Sequence, residues 1–151
     1  MAGSGTSPGV LGAATTLVTS VSLAVTAISF SPKLWVPFVA GTLAVGLVYG
    51  LLGALAGALV GRLGATYLML FGAMLDLGIA QNPMFGSGEP PDWATPLPGY
   101  GPGRVIIDAA FSAQFHAWEA LALAAGWIVV LTIVVVGLLA RRSGLATKSF
   151  A

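Results

Sequence analysis

The chain has 151 residues, of which 57% are hydrophobic and 7% charged, with a formal net charge of +1. A soluble domain carries about 25% charged residues, so this composition excludes an ordinary water-covered surface and makes lipid the solvent. Six basic residues spread over the chain form no nucleic-acid patch, and the absence of cysteine excludes a disulfide framework, a thiolate nucleophile and a zinc–thiolate site.

Residues 1–9 read as a short cytoplasmic tail. Residues 10–30 carry no charge and are rich in Ala, Thr, Ser and Val. No basic residue occurs before Lys33, so the positive n-region of a signal peptide is missing and the stretch reads as a first membrane span. Ser31–Pro32–Lys33 is a tight turn, since proline cannot continue the helix. Residues 34–61 form a second uncharged stretch, long enough to cross with tilt. After the single Arg62, residues 63–80 are apolar except for Asp76 and read as a third span. Residues 81–119 form one long polar connection that holds six of the nine prolines. Residues 120–140 are twenty-one residues without a charge, closed by Arg141 and Arg142. At roughly 1.5 Å per residue this run covers about 31 Å, the thickness of a bilayer's hydrocarbon core. Residues 141–151 complete the chain as a second cytoplasmic tail. The expected fold is all-α: a polytopic membrane bundle of four transmembrane helices, with an extracellular Pro-rich loop and a short amphipathic helix.

Basic residues set the expected orientation. With the C-terminus in the cytoplasm, Arg62, Arg141, Arg142 and Lys148 lie inside, and only Lys33 and Arg104 lie outside. The positive-inside rule therefore favours both termini in the cytoplasm.

Two features within the spans stand out. Gly46, Gly50, Gly53, Gly57 and Gly61 recur at steps of four, three, four and four, which keeps them on one helical face. Lipid supplies no hydrophobic drive for helices to associate, so a glycine face that permits close backbone approach reads as a packing seam. Asp76, in LMLFGAMLDLGIAQNP, is a carboxylate where hydrocarbon is expected. Such a group faces protein or water. It reads either as a path or helix-locking residue, or as a partly wet group about one turn from Gln81–Asn82–Pro83.

The outer connection opens with QNPMFGSGEPPDWATPLPGYGPG, a composition of turns, with Trp93 and Tyr100 suited to the headgroup level. After the GPG break, Ile107, Phe111, Phe115 and Trp118 recur at steps of four, four and three. The spacing predicts an amphipathic helix of about four turns from Arg104, lying on the membrane surface or packed on the loop. Asp76, Trp93, Tyr100, Arg104 and Asp108 are the candidates for a transport path or outer gate.

No enzyme is expected, and no cofactor or metal. His116 is the single histidine, with no cysteine partner and no H-E-x-x-H. No G-x-x-x-x-G-K-[ST] occurs to cradle a nucleotide.

The stretch GRLGATYLMLFGAMLDLGIAQNPMFGSGEPPDWATPLPGYGPGRVIIDAAFS resembles the C-terminal part of ABC-2-type transporter permeases of the actinobacterial form. LDLGIAQNPMF followed by LPGYGPGRVIIDAAFS is its most specific element, and SPKLWVPF between two spans adds to it. The likeness runs over roughly residues 20–140. It implies six helices per permease, assembled as dimers on a separate ATP-hydrolysing subunit, with short extracellular helices between the last two spans. It also implies two helices and an ATPase-engaging segment ahead of residues 10–30, where this chain has MAGSGTSPG. The chain is thus expected to match the last four helices, as a truncated permease or one half of a split one. Its expected partners are the lipid bilayer, the ATP-binding subunit, and a second copy or the missing permease half. A small multi-pass scaffold or accessory protein without a transport path is the alternative.

Overall fold

The computed structural model describes the backbone of residues 8–81 and 90–148 and the side chains of residues 16–81 and 90–142. Residues 82–89, the glycine- and proline-rich start of the outer connection, lie outside the described residues, as do the two chain ends. All regular structure among the described residues is helical: α1 (Pro8–Ser29), α2 (Trp35–Ala73), a π-helical turn (Met74–Ala80), a 3-10 turn (Asp92–Ala94), α3 (Tyr100–Phe111) and α4 (Trp118–Lys148).

Among the described residues, two helical stretches are long and apolar enough to cross a membrane, Trp35–Ala80 and Trp118–Arg142. Only 17% and 11% of their most apolar windows are buried within the chain. A core helix of a soluble protein would be mostly buried, so these open apolar surfaces fit association with a membrane. Large side chains such as Ile28, Val36, Leu63 and Ile133 lie more than half exposed. What is buried is mostly small: Ala44, Ala56, Ala65, Ala80, Ala109 and Ala124. That is how helices pack where lipid competes equally for large apolar side chains and close approach supplies the attraction.

The stretch Trp35–Ala80 has 46 residues, and a straight helix of that length would run about 69 Å, more than twice the hydrocarbon core. It is not straight. Gly61 interrupts α2 with φ 76 and ψ 174, a region open to glycine and almost closed to residues with a Cβ. The chain folds back there. The Tyr49 hydroxyl meets Asp76 at 2.6 Å, although a continuous helix would hold these positions about 40 Å apart. A Cβ on Gly53 would lie 3.9 Å from Met69 Cγ, across the same hairpin. The two limbs, residues 35–60 and 62–80, therefore run antiparallel.

The break frees the last carbonyls of the first limb, which have no N–H four residues on. The Arg142 guanidinium, in the C-terminal part of α4, donates to the carbonyl of Ala58, an arginine capping the C-terminus of the first limb. α4 thus runs beside the first limb, with its arginine end at the Gly61 turn. At the opposite end, Lys33 N–H and Leu34 N–H donate to the carbonyls of Ala110 and Ala109 at 3.3 and 2.9 Å. The connection from α1 to α2 so closes the C-terminus of α3. Phe38, Ala109 and Ala110 form the small core of this end, with Leu23, Leu34 and Ile106 packed on it.

α3 departs from its expected form in two ways. It begins at Tyr100, so Gly101–Pro102–Gly103 lies inside its first turn rather than before it. Proline is tolerated there because the first N–H groups of a helix have no partner in any case. It ends at Phe111, so Phe115 and Trp118 belong to no common helix with Ile107. Instead they stack edge to face, with ring centroids 4.8 Å apart. The patterned Ile107 and Phe111 face outward, at 36% and 65% exposed, and the buried face is Gly101, Pro102, Val105, Ala109 and Ala110. α3 is a wedge between α2 and α4, and the wedge side must be small. A Cβ on Gly41 would stand 2.8 Å from Ile106 Cγ1, and one on Gly101 would stand 2.7 Å from the carbonyl oxygen of Ala120.

The glycine seam is placed unevenly. Gly53 faces the second limb, Gly57 meets nothing within 4 Å, and Gly61 is the turn itself; Gly46 and Gly50 are half-buried. Gly61→Ala should destabilise the hairpin by about 1–3 kcal/mol, because the ε region it occupies is strained for any residue with a Cβ. Spin labels on cysteines at Gly53 and Met69 check this. Their separation should broaden or lengthen in the Gly61→Ala background.

Candidate functional site

Asp76 sits in the π-helical turn that ends the second limb, and only 6% of it is exposed. A partly wet interfacial carboxylate is therefore not what the fold contains. Asp76 is locked by protein. Tyr49 Oη donates to Oδ2 at 2.6 Å, the backbone N–H of Gly99 donates to Oδ2 at 2.8 Å, and Gln81 Nε2 donates to Oδ1 at 3.2 Å. The three donors come from the first limb, the loop ahead of α3, and the end of the π turn. One side chain thus ties together three segments that are remote in sequence.

The local backbone makes this possible. In an α-helix, residues five apart are about 140° apart around the axis, given roughly 100° per residue. Here the Gln81 N–H bonds to the Asp76 carbonyl at 2.9 Å, an i→i−5 bond, which stacks the two residues. Gln81 then reaches the Asp76 carboxylate with the same amide that donates to the Ala94 carbonyl at 3.1 Å. Its Oε1 is buried without a hydrogen-bond partner. Gly99 is required by contact, since a Cβ there would stand 2.7 Å from Leu77 Cδ2 and 2.8 Å from both carboxylate oxygens.

Beneath this lock lies a cavity of about 310 Å³ between the two limbs. Its walls are aliphatic, from Leu52, Leu55, Ala56 and Leu59 on one limb to Leu68, Met69 and Gly72 on the other. Tyr49, Asp76, Leu97 and Pro98 close one end, and Val60 lies at the other.

The remaining gate candidates are not gathered around Asp76. Trp93 is 65% exposed. Tyr100 and Arg104 are half-buried on α3. Asp108 builds a second cluster at the far end of α3. Its Oδ2 accepts the N–H groups of His116 at 2.7 Å and Ala117 at 3.2 Å, and its Oδ1 accepts the Ser112 hydroxyl at 2.7 Å. These N–H groups lie just ahead of α4, so the carboxylate caps that helix from a distance and complements its positive end. It also explains why α3 stops at Phe111: the chain turns back to bond to the last turn. His116 Nδ1 stands 4.0 Å from Asp108 Oδ1. Among the described residues, no cluster of acidic and histidine side chains could hold a metal ion.

Burial pushes the Asp108 carboxyl upward, but the His116 N–H, the Ser112 hydroxyl, the Ala117 N–H and the nearby imidazole together hold it below its ordinary value. A depressed folded pKa contributes stability above the unfolded value, and this is lost as pH falls through the folded one. Thermal unfolding in detergent should therefore show stability dropping at acid pH in the wild type. Asp108→Ala should be less stable at neutral pH by about 1–2 kcal/mol, as for a lost cap, and its curve should be flatter in the acid range.

Tyr49 was readable as a polar residue within a span. Gly99, Gln81 and the close-contact glycines Gly41 and Gly101 gave no sequence signal, since their roles come from segments brought together only by folding. No family model matches the chain, and neither a curated protein nor a solved structure matches it.

Proposed function

We propose that this chain is the membrane-embedded portion of an ABC-type transporter, a permease subunit or fragment of the ABC-2 type, and that a separate ATP-hydrolysing subunit powers it. The observation that carries the reading is α3. A short helix lies between the hairpin and the last long apolar helix and packs against both. That order of parts is the one implied by the resemblance of LDLGIAQNPMF and LPGYGPGRVIIDAAFS. In this reading α1, the two limbs of α2 and α4 are four crossings. The limbs support it by length, since 26 and 19 residues make about 39 and 28 Å of helix against a core of about 30 Å. The Gly61 turn, with Arg62, Arg141 and Arg142, faces the cytoplasm, and α3 with its flanking loops faces outside.

Single cysteines at Ala113 and Ser149, in a chain without others, test the orientation. An impermeant reagent on intact cells should label position 113 and spare position 149; the reverse pattern would invert the topology. Transport itself is tested in liposomes with an ABC-type ATP-hydrolysing subunit. The chain alone should give no ATP-driven substrate movement. Adding the two-helix portion that the resemblance implies should bring movement and stimulated ATP hydrolysis. Failure of both arrangements would favour the second reading, a multi-pass scaffold. The observation on that side is the saturation of Asp76 by structural donors, which leaves few polar groups to line a path.

A further inference from the structure

The cavity between the limbs has a shape that its role as a hollow does not require. From Val60 to Tyr49 is eleven residues of helix, about 16 Å, which is close to half of the roughly 30 Å hydrocarbon core. The hollow holds about 310 Å³ and is open along one side, so a chain of methylenes can enter it from the surrounding lipid. Water is a poor occupant, because a buried water needs two to four polar partners and the walls between the two ends are aliphatic.

The two ends differ in charge. One is closed by the Asp76 carboxylate with its three donors, a negative group that repels an anionic head. The other lies at the Gly61 turn, where Arg62 and Arg142 are both exposed and Arg142 donates to the Ala58 carbonyl. We infer that the α2 hairpin is a binding site for one phospholipid, with its phosphate at the Arg62–Arg142 end and one acyl chain between the limbs, its tip toward Asp76. The inference rests on the membrane location contained in the proposed function and not on transport.

The test uses the whole chain in phosphatidylcholine liposomes holding a trace of phosphatidylglycerol with a mid-chain diazirine. After photolysis, adducts are mapped by peptide mass spectrometry. Adducts at Leu52, Ala56, Leu68 and Met69 should exceed those at the exposed α4 residues Ile133 and Val136 by about tenfold, a preference of about 1.4 kcal/mol over bulk lipid. Unlabelled phosphatidylglycerol should compete only at the hairpin. Gly72→Leu has room at its Cβ and should fill the hollow and remove the excess. Arg62→Gln should lower it, and a diacylglycerol with the same diazirine chain should show none.

Equal labelling of hairpin and α4, without competition, would mean that the hollow holds bulk solvent and would overturn the site. An equal excess with diacylglycerol would overturn the assignment of the phosphate. Absence of adducts on α4 as well would sink the membrane reading itself, a result distinct from failure of the site. The competition experiment needs no variant, so the site stays testable even where a substitution impairs folding.

Discussion

Replacing Asp76 by alanine should cause the largest loss of stability of any single polar substitution in this chain. The change leaves the Tyr49 hydroxyl, the Gly99 N–H and one donor of Gln81 facing each other with no acceptor. Each buried unsatisfied donor costs about 1–3 kcal/mol, and breaking a buried charged network costs about 3–5 kcal/mol in all. Asp76→Asn should fall between. Its carbonyl oxygen can still accept from Tyr49 and Gly99, but its amide nitrogen would oppose the Gln81 amide, which is already committed to Ala94. Tyr49→Phe removes a single donor and should cost about 1 kcal/mol. Thermal unfolding in detergent gives the order wild type, Tyr49→Phe, Asp76→Asn, Asp76→Ala. An Asp76→Ala protein as stable as wild type would show that the carboxylate does not hold the hairpin to the α3 loop.

Gly101→Ala should be nearly as damaging, for a steric reason. The added Cβ would lie 2.7 Å from the Ala120 carbonyl oxygen and 2.8 Å from the Ala124 nitrogen, both backbone atoms of α4. Backbone cannot rotate aside as a side chain can, so α3 and α4 must separate. Overpacking of this kind costs about 1–3 kcal/mol and sometimes more. Gly57→Ala is the control. Its Cβ meets nothing within 4 Å, and alanine is favoured over glycine inside a helix by about 1 kcal/mol. The expected result is a lower unfolding temperature for Gly101→Ala and an unchanged or higher one for Gly57→Ala. A marked loss at Gly57 would place that face against a second chain rather than within this one.

The Asp76 cluster and the Gly101 contact show where reading the chain residue by residue stops. The apolar runs from 34 to 80 and from 120 to 140 announce long helices because burial in lipid is a property of consecutive residues. The lone Arg62 after Gly61 marks a division of the first run for the same reason. Asp76 is visible because a carboxylate amid hydrocarbon is costly wherever the chain goes. Its partners are not visible. Tyr49 lies 27 residues before it and Gly99 lies 23 after it, and nothing local distinguishes Gly99 from the other glycines of a Pro-rich loop.

The same division explains the misplaced helix. Ile107, Phe111, Phe115 and Trp118 have helical spacing, and periodicity alone extends one helix through all four. The structure ends it at Phe111 because the Asp108 carboxylate draws the His116 and Ala117 N–H groups back onto the last turn. On the part of the pattern that is helical, Ile107 and Phe111 stay exposed, while Gly101, Pro102, Val105, Ala109 and Ala110 pack against the neighbouring helices. Composition and local pattern thus announce the long apolar helices, because apolar length is a property of neighbours along the chain. The hairpin lock, the α3 wedge and the cavity between the limbs arise from contacts between segments about 20 to 80 residues apart, and those exist only once the helices have packed.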